Sequence, residues 1–217
     1  MAQGEFVVIM GHSGAGSIAG FVGNFVLGFL PYKMWGSFFR RGENMEQNVN
    51  SGKKLAVYIA ITILASAICA VWIAWFNDLI GFVPFAALAS IITVNKAIAG
   101  LVLGPILLFG LYPRVKRWGL LWTEIMSPDE VLASRFHSLG NLLMWVGSLG
   151  DLIVGLALGL GLYEQGIAAA GFAPNAGGAG GLTIGLVLLP FLILIVVASF
   201  LLGGREQVEA AEEETSR

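Results

Sequence analysis

Four apolar stretches, each longer than 20 residues, dominate this sequence of 217 residues. They are Leu55–Phe76, Phe82–Tyr112, Leu139–Tyr163 and Gly181–Leu202. A helix needs about 20 apolar residues to cross the hydrocarbon core of a bilayer. Only 12% of the residues are charged, about half the share that a water-facing surface usually requires. The sequence therefore predicts an all-α, polytopic membrane protein.

A fifth apolar stretch, Phe6–Leu30, is rich in glycine and contains His12 and Asn24. We predict that it also crosses the membrane, which gives a bundle of about five transmembrane helices in one domain over residues 1–204. The 30 glycines of the chain fit this prediction, because small residues let helices approach closely in lipid. Residues 205–217 are predicted to form an acidic cytoplasmic tail.

The basic residues indicate the orientation of the bundle. Pro31–Lys54 and Pro113–Ser138 together carry nine of the 12 Lys and Arg residues. Cytoplasmic loops collect such residues, so both segments are predicted to be cytoplasmic. The connections around Asn77 and over Glu164–Gly180 have no basic residue and are predicted to be external. Alternation then places the N-terminus outside and the C-terminus in the cytoplasm, in a multi-pass protein of the plasma membrane.

Three local patterns refine this organisation. Ser127 to Glu130 has the form of a capping box, so a helix is expected to start near Pro128. The Gly- and Ala-rich stretch Gly166–Gly181 predicts a flexible external loop. The run Phe82–Tyr112 is too long for one perpendicular span, which predicts a tilted or broken helix.

Polar side chains inside the predicted spans need a partner or a cavity. Asp151 lies near the centre of its stretch, so it is expected to be protonated, to pair with Lys96 or to face water. Lys96, next to Asn95, either snorkels to the membrane interface or lines a cavity. Asn24 and Asn141 serve either as interhelical hydrogen-bonding groups or as ligand contacts.

Pairs of small residues spaced four apart recur along the spans. Close packing inside the bundle explains most of them, and one such face can instead serve a partner subunit. The pairs are Gly16/Gly20, Ala15/Ala19, Gly100/Gly104, Gly155/Gly159 and Gly181/Gly185.

Motifs of enzyme chemistry are not found in this sequence. His12 and His137 are far apart, and no zinc-protease, Cys-x-x-Cys or phosphate-loop pattern occurs. We therefore expect no catalytic activity, metal, cofactor or nucleic-acid partner.

Residues 14–122 resemble the substrate-binding S component of energy-coupling-factor vitamin transporters. Three stretches carry the resemblance. They are Gly20–Trp35, Pro84–Ala87 followed by Asn95-Lys96-Ala97, and Leu103-Gly104-Pro105 with Leu111–Val115.

The resemblance implies a six-helix bundle with both termini in the cytoplasm. Five helices with an external N-terminus match that family if its first helix is missing. The family's first helix docks the transmembrane coupling subunit, and the pair Ala15/Ala19 is the expected substitute. The implied function is capture of a vitamin-like small molecule for uptake, energised by separate ATPase and coupling subunits. The alternative is a non-transporting subunit or scaffold within a larger membrane complex.

For the transport function, the predicted ligand site consists of polar or aromatic side chains within the spans. Asn141 and Trp145 share one helix face, because they are four residues apart, so Trp145 can stack on a planar ligand while Asn141 bonds its edge. The complete predicted set is Asn24, Asn95, Lys96, Asn141, Trp145 and Asp151.

The predicted orientation can be tested with single cysteines. After Cys69 is replaced by Ala, a cysteine at Gln47 should react with a membrane-impermeant reagent only from the cytoplasmic side. A cysteine at Asn175 should react only from the outside, because the two positions lie in segments of opposite charge character. Labelling of both from one side would contradict the five-span orientation.

Overall fold

A computed structural model of the chain describes residues 15–39, 46, 48–81, 83–125, 136–160 and 182–202. Within these residues the structure is helical and has no strand. The five long helices are α1 (Ala15–Phe38), α2 (Gly52–Leu79), α3 (Phe85–Arg117), α5 (His137–Gly159) and α6 (Leu182–Leu202), and the short helix α4 (Trp122–Ile125) follows α3. His12, the capping box, the loop Gly166–Gly181 and the tail 205–217 lie outside the described residues.

The protein is an all-α polytopic helical bundle, which confirms the predicted fold class. Among the described helices, α2, α3, α5 and α6 are long and apolar enough to cross a membrane. α1 has 24 residues but is not among these four, and it contains Asn24, Pro31 and Lys33. α1 extends past the apolar stretch that ends at Leu30, because the helix continues through Pro31 to Phe38. Proline is tolerated in such helices where neighbouring groups satisfy the carbonyl that it leaves free.

The long run before Tyr112 forms one continuous helix. α3 has 33 residues and passes through Pro105 and Pro113 without a break. Its length is therefore about 50 Å, well beyond a hydrocarbon core of about 30 Å. Of the two predicted possibilities, a tilted helix or a broken one, the structure excludes the break. A helix of this length tilts or extends past the core.

α2 is the central helix and packs against all four of the other long helices. Every residue from Leu64 to Val71 is buried, so this part of α2 is surrounded on all sides. The segment is mostly small residues, Ala65, Ser66, Ala67, Cys69 and Ala70 among them. Small side chains allow several helices to approach one central helix at the same level.

The basic end of the bundle is the end where the segment 46–50 meets the C-terminus of α3. Glu46 and Lys116 form an ion pair there, and the hydrogen bond from the Lys116 ammonium group lowers the pKa of Glu46. Lys54, which is buried, donates to the backbone oxygen of Glu46 (3.1 Å) and to Oδ1 of Asn48 (3.0 Å). Ser51 caps α2 by accepting the backbone N–H of Lys54 at 3.3 Å. The two segments that are predicted to be cytoplasmic therefore meet at one end of the bundle.

The opposite end joins α2 to α3 in a tight connection. The backbone N–H of Phe85, at the first position of α3, donates to Oδ1 of Asp78 at 3.1 Å. Asp78 thereby satisfies a helix-terminal donor that Pro84, the residue at the cap position, leaves unbonded. Gly81 has φ +74, a conformation that favours glycine, and this allows the chain to reverse.

Two of the predicted small-residue pairs are packing notches inside the bundle. On α3, an added Cβ at Gly100 would lie 2.6 Å from Cγ2 of Thr62, and one at Gly104 would overlap the Tyr58 hydroxyl. On α5, an added Cβ at Gly159 would lie 2.8 Å from Cβ of Ala86. An added Cβ at its partner Gly155 would overlap the Phe85 ring. Glycine at these positions therefore sets how closely α3 approaches α2 and α5.

Replacing Gly104 with Ala is expected to destabilise the bundle by about 1–3 kcal/mol, because Tyr58 has to move. Gly110→Ala on the same helix is the matched control, since no atom lies within 4 Å of its added Cβ. Thermal unfolding in detergent should show a lower Tm for the Gly104 variant only. Adding Tyr58→Ala should remove most of the effect of Gly104→Ala. Equal Tm values for Gly104→Ala and wild type would show that Gly104 is not a packing notch for Tyr58.

Candidate functional site

Two of the predicted site residues form a polar contact between α1 and α3. Nζ of Lys96 donates to Oδ1 of Asn24 at 2.8 Å. Nδ2 of Asn24 donates in turn to the backbone oxygen of Gly20 at 2.7 Å, which orients the amide. Lys96 also interacts with the thiol of Cys69 on α2, a side chain that is fully buried. Lys96 therefore has a hydrogen-bond partner within the protein, at a partly exposed position on α3.

A cavity of about 400 Å³ lies between α1, α2 and α3, and we call it the aromatic cavity. Its most distinctive walls are the rings of Tyr32, Trp35 and Tyr58. The Tyr58 hydroxyl donates to the backbone oxygen of Gly100 at 2.6 Å, which fixes that ring against α3. The lining residues are Gly28, Pro31, Tyr32, Trp35, Tyr58, Ile61, Thr62 and Leu108.

The Asn24–Lys96 pair lies about one helical turn from this cavity. Gly28, a lining residue, follows Asn24 by four positions on α1 and so lies on the same helix face. Gly100 follows Lys96 by four positions on α3, and its notch contacts the lining residue Thr62. The pair thus bounds the cavity on the side away from the basic end.

The predicted residues of α5 lie elsewhere. Nδ2 of Asn141 donates to Oγ of Ser37 on α1 at 2.5 Å, while its Oδ1 is buried without a partner among the described residues. Trp145 is half-buried and packs against the apolar core. Neither residue lines the aromatic cavity. The structure thus gives Asn141 an interhelical bond, which is the simpler of the two roles that the sequence allows.

Asp151 is fully buried, and the described part of the chain offers no hydrogen bond to either carboxyl oxygen. Lys96 bonds Asn24 instead, and no ion pair joins Lys96 to Asp151. Of the three possibilities that the sequence leaves open, pairing with Lys96 is not found among the described residues. A charged carboxylate there would cost at least about 2.5 kcal/mol, and the protonated form stays a prediction.

The other predicted positions are at the surface or within packed faces. Asn95 is exposed on α3 and does not line the cavity. Ala19 is only 3% exposed, and the side chain of Ala15 lies outside what the structure describes. The outer surface of α1 is formed instead by apolar side chains such as Phe21. A partner that touches α1 in this conformation would therefore meet aromatic side chains rather than Ala19.

The cavity rings are the part of the site that sequence reasoning missed. Gly28, Tyr32 and Trp35 follow one another at spacings of four and three, which places them on one face of α1. Tyr58 and Thr62 are four residues apart on α2 and therefore also share a helix face. Aromatic and hydroxyl side chains at helical spacing were the available signal. The predicted site residues were mostly charged and amide side chains, and they did not include these aromatic and hydroxyl groups.

Helices and cavity together define a polytopic α-helical membrane protein with an aromatic-lined cavity between three helices. No family model, curated protein or solved structure gave a significant match to this chain. The resemblance to S components therefore stays a prediction from the sequence. Among the described residues, no group of three or more His, Cys, Asp or Glu side chains is arranged to hold a metal ion.

Replacing Asp151 with Ala is expected to leave the free energy of unfolding unchanged or to raise it. The substitution removes a buried carboxyl group that has no hydrogen-bond partner among the described residues. Combined with Lys96→Met, its effect should be additive within about 0.5 kcal/mol, because no contact joins the two side chains. Equilibrium unfolding of both single variants and the double variant measures this. A coupling energy above about 1 kcal/mol would show that the two groups interact after all.

Proposed function

We propose that this protein is a membrane-embedded binding component that captures a vitamin-like small molecule in the aromatic cavity, for uptake energised by separate ATPase and coupling subunits. The observation that supports binding is the cavity itself. Its volume of about 400 Å³ lies within the range of small-molecule sites, about 300–1,000 Å³. Its lining is mostly apolar and aromatic with few polar groups, which is the usual composition of such sites. The uptake function comes from the resemblance of residues 14–122.

The lining indicates the kind of ligand. Three rings, from Tyr32, Trp35 and Tyr58, offer flat surfaces for a planar or apolar molecule. The hydroxyl groups of Tyr58 and Thr62 are the polar anchors; the Tyr58 oxygen donates to Gly100 and keeps its capacity to accept. A ring system with one or two polar substituents fits this combination.

The predicted site residues have two different roles, at the edge of the cavity or in the packing of α5. Asn24 and Lys96 stay at the site as its polar boundary, one turn from the lining. Asn141, Trp145 and Asp151 support the packing of α5 and are not ligand contacts in this proposal.

One observation favours the alternative, a non-transporting subunit of a larger complex. Phe21 and Phe25 on α1 are 75% and 60% exposed, and Gly20 has open space where a Cβ would stand. A partner helix can pack closely against such a face. This alternative predicts stable association with another membrane subunit and no small-molecule ligand.

Gly28→Leu is the decisive variant for binding. Gly28 lines the cavity and has no atom within 4 Å of an added Cβ, so a larger side chain fills the cavity without a backbone clash. Isothermal titration of vitamins and nucleobase-like compounds should identify a ligand, and Gly28→Leu should weaken its affinity at least about tenfold, or about 1.4 kcal/mol.

Gly20→Leu is the matched control on the same helix, because its added Cβ also meets open space but lies outside the cavity. It should bind as wild type does, and so should Trp145→Ala. If Trp145→Ala abolished binding while Gly28→Leu did not, the ligand would lie at α5 instead. No binding tighter than about 10 μM across the panel would favour the scaffold alternative.

A further inference from the structure

A second depression, of about 250 Å³, lies at the basic end, and we call it the headgroup groove. It runs between the segment 48–50 and the end of α3, and it shares only Leu108 with the aromatic cavity. Its lining changes from apolar to polar along α3 and across to the segment 48–50. The lining residues are Asn48, Val49, Asn50, Leu108, Phe109, Tyr112 and Pro113.

Aromatic residues locate this groove at a membrane boundary. Trp118 directly follows α3 and is 67% exposed. Exposed Trp side chains prefer the level of the lipid headgroups. Phe109, nine residues earlier and therefore about 14 Å deeper, is 70% exposed and apolar. The groove thus extends from the level of the acyl chains to that of the headgroups.

The charge at this end is strongly positive. Six basic side chains of the described residues lie on helix segments at the basic end, against two carboxylates, Glu46 and Glu124. Glu46 is already engaged by Lys116, so its charge is compensated within the protein. Arg114 is exposed and adjoins the lining residue Pro113, and Lys53 is exposed at the start of α2. The six basic residues are Lys33, Lys53, Lys54, Arg114, Lys116 and Arg117.

We propose that the headgroup groove binds one anionic phospholipid from the adjoining leaflet. One acyl chain lies against Leu108 and Phe109, and the glycerol and phosphate groups lie at the exposed Asn50. Arg114 and Lys53 supply the positive field that selects an anionic headgroup over a zwitterionic one. A lipid is the ligand that matches both the polar and the apolar half of the groove. A soluble anion would make no favourable contact with the apolar half. The site is separate from the aromatic cavity and does not depend on what that cavity binds.

Native mass spectrometry of the full chain, released from nanodiscs that hold equal amounts of phosphatidylglycerol and phosphatidylcholine, tests this site. The wild-type protein should retain one phosphatidylglycerol preferentially. Arg114→Gln with Lys53→Gln should reduce that preference by about fivefold for each charge removed. Lys33→Gln, the matched control, removes the same charge from α1, which contributes no residue to the groove, and should keep the preference.

A salt titration and a competition with inorganic phosphate also test the lipid site. If the double variant unfolds, the wild-type preference should still fall as salt is raised, since screening weakens the attraction to a headgroup near the surface. Excess inorganic phosphate should not displace the lipid. Equal retention of both lipids, an equal loss in Lys33→Gln, or displacement by phosphate would each overturn the proposal.

Discussion

Close approach of helix backbones at glycine is the interaction on which this bundle depends. Lipid tails are as apolar as leucine side chains, so helices in a membrane gain little from apolar burial alone and rely on short-range packing. Thr62 and Tyr58 pack against Gly100 and Gly104, and Phe85 packs against Gly155. These contacts bring α3 against the central helix α2 and bring α5 against the start of α3. The aromatic cavity exists because the Tyr58 ring is held at such a notch.

Hydrogen bonding within the protein is a second constraint, because a polar group in a span has no water to bond. Several such groups are bonded within their own helix, as Ser66 is to the Thr62 carbonyl and Ser148 to the Met144 carbonyl. Other side-chain bonds among the described residues join different helices. The bonds from Lys96 to Asn24 and from Asn141 to Ser37 link α1 to α3 and to α5. Tyr58 and Trp75 bond the carbonyl groups of Gly100 and Gly185, which links α2 to α3 and to α6. Some buried polar atoms have no partner among the described residues, and they include both carboxyl oxygens of Asp151, Oδ1 of Asn141 and Nε1 of Trp72.

The bundle separates two kinds of chemistry along its length. Between α1, α2 and α3, aromatic rings surround a space with few polar atoms. At the basic end, amide side chains and a tyrosine line a smaller groove whose inner part is still apolar. The two regions meet at Leu108, yet they suit different ligands. A molecule with a planar ring suits the first, and an anionic amphiphile suits the second.

The sequence by itself determined the fold class and most of the helices. Runs of more than 20 apolar residues have no other stable form in a bilayer, because each backbone N–H and C=O group must be bonded within its own segment. It also indicated that Gly100/Gly104 and Gly155/Gly159 serve packing, and that the basic residues gather at one end. The end of α1 at Phe38 was not evident from the apolar stretch that ends at Leu30, since a proline such as Pro31 can remain inside a membrane helix.

Only the tertiary structure decided which side chains share a space. Helix periodicity places residues on a face, but the rotation of each helix and its choice of neighbours depend on contacts between distant segments. Asn24 and Lys96 therefore proved to be partners, whereas no hydrogen bond joins Asp151 to Lys96. The rings of Tyr32 and Tyr58 come from different helices, and no pattern within one helix shows that they face each other. The cavity is a property of the packing, because its walls exist only where three helices meet.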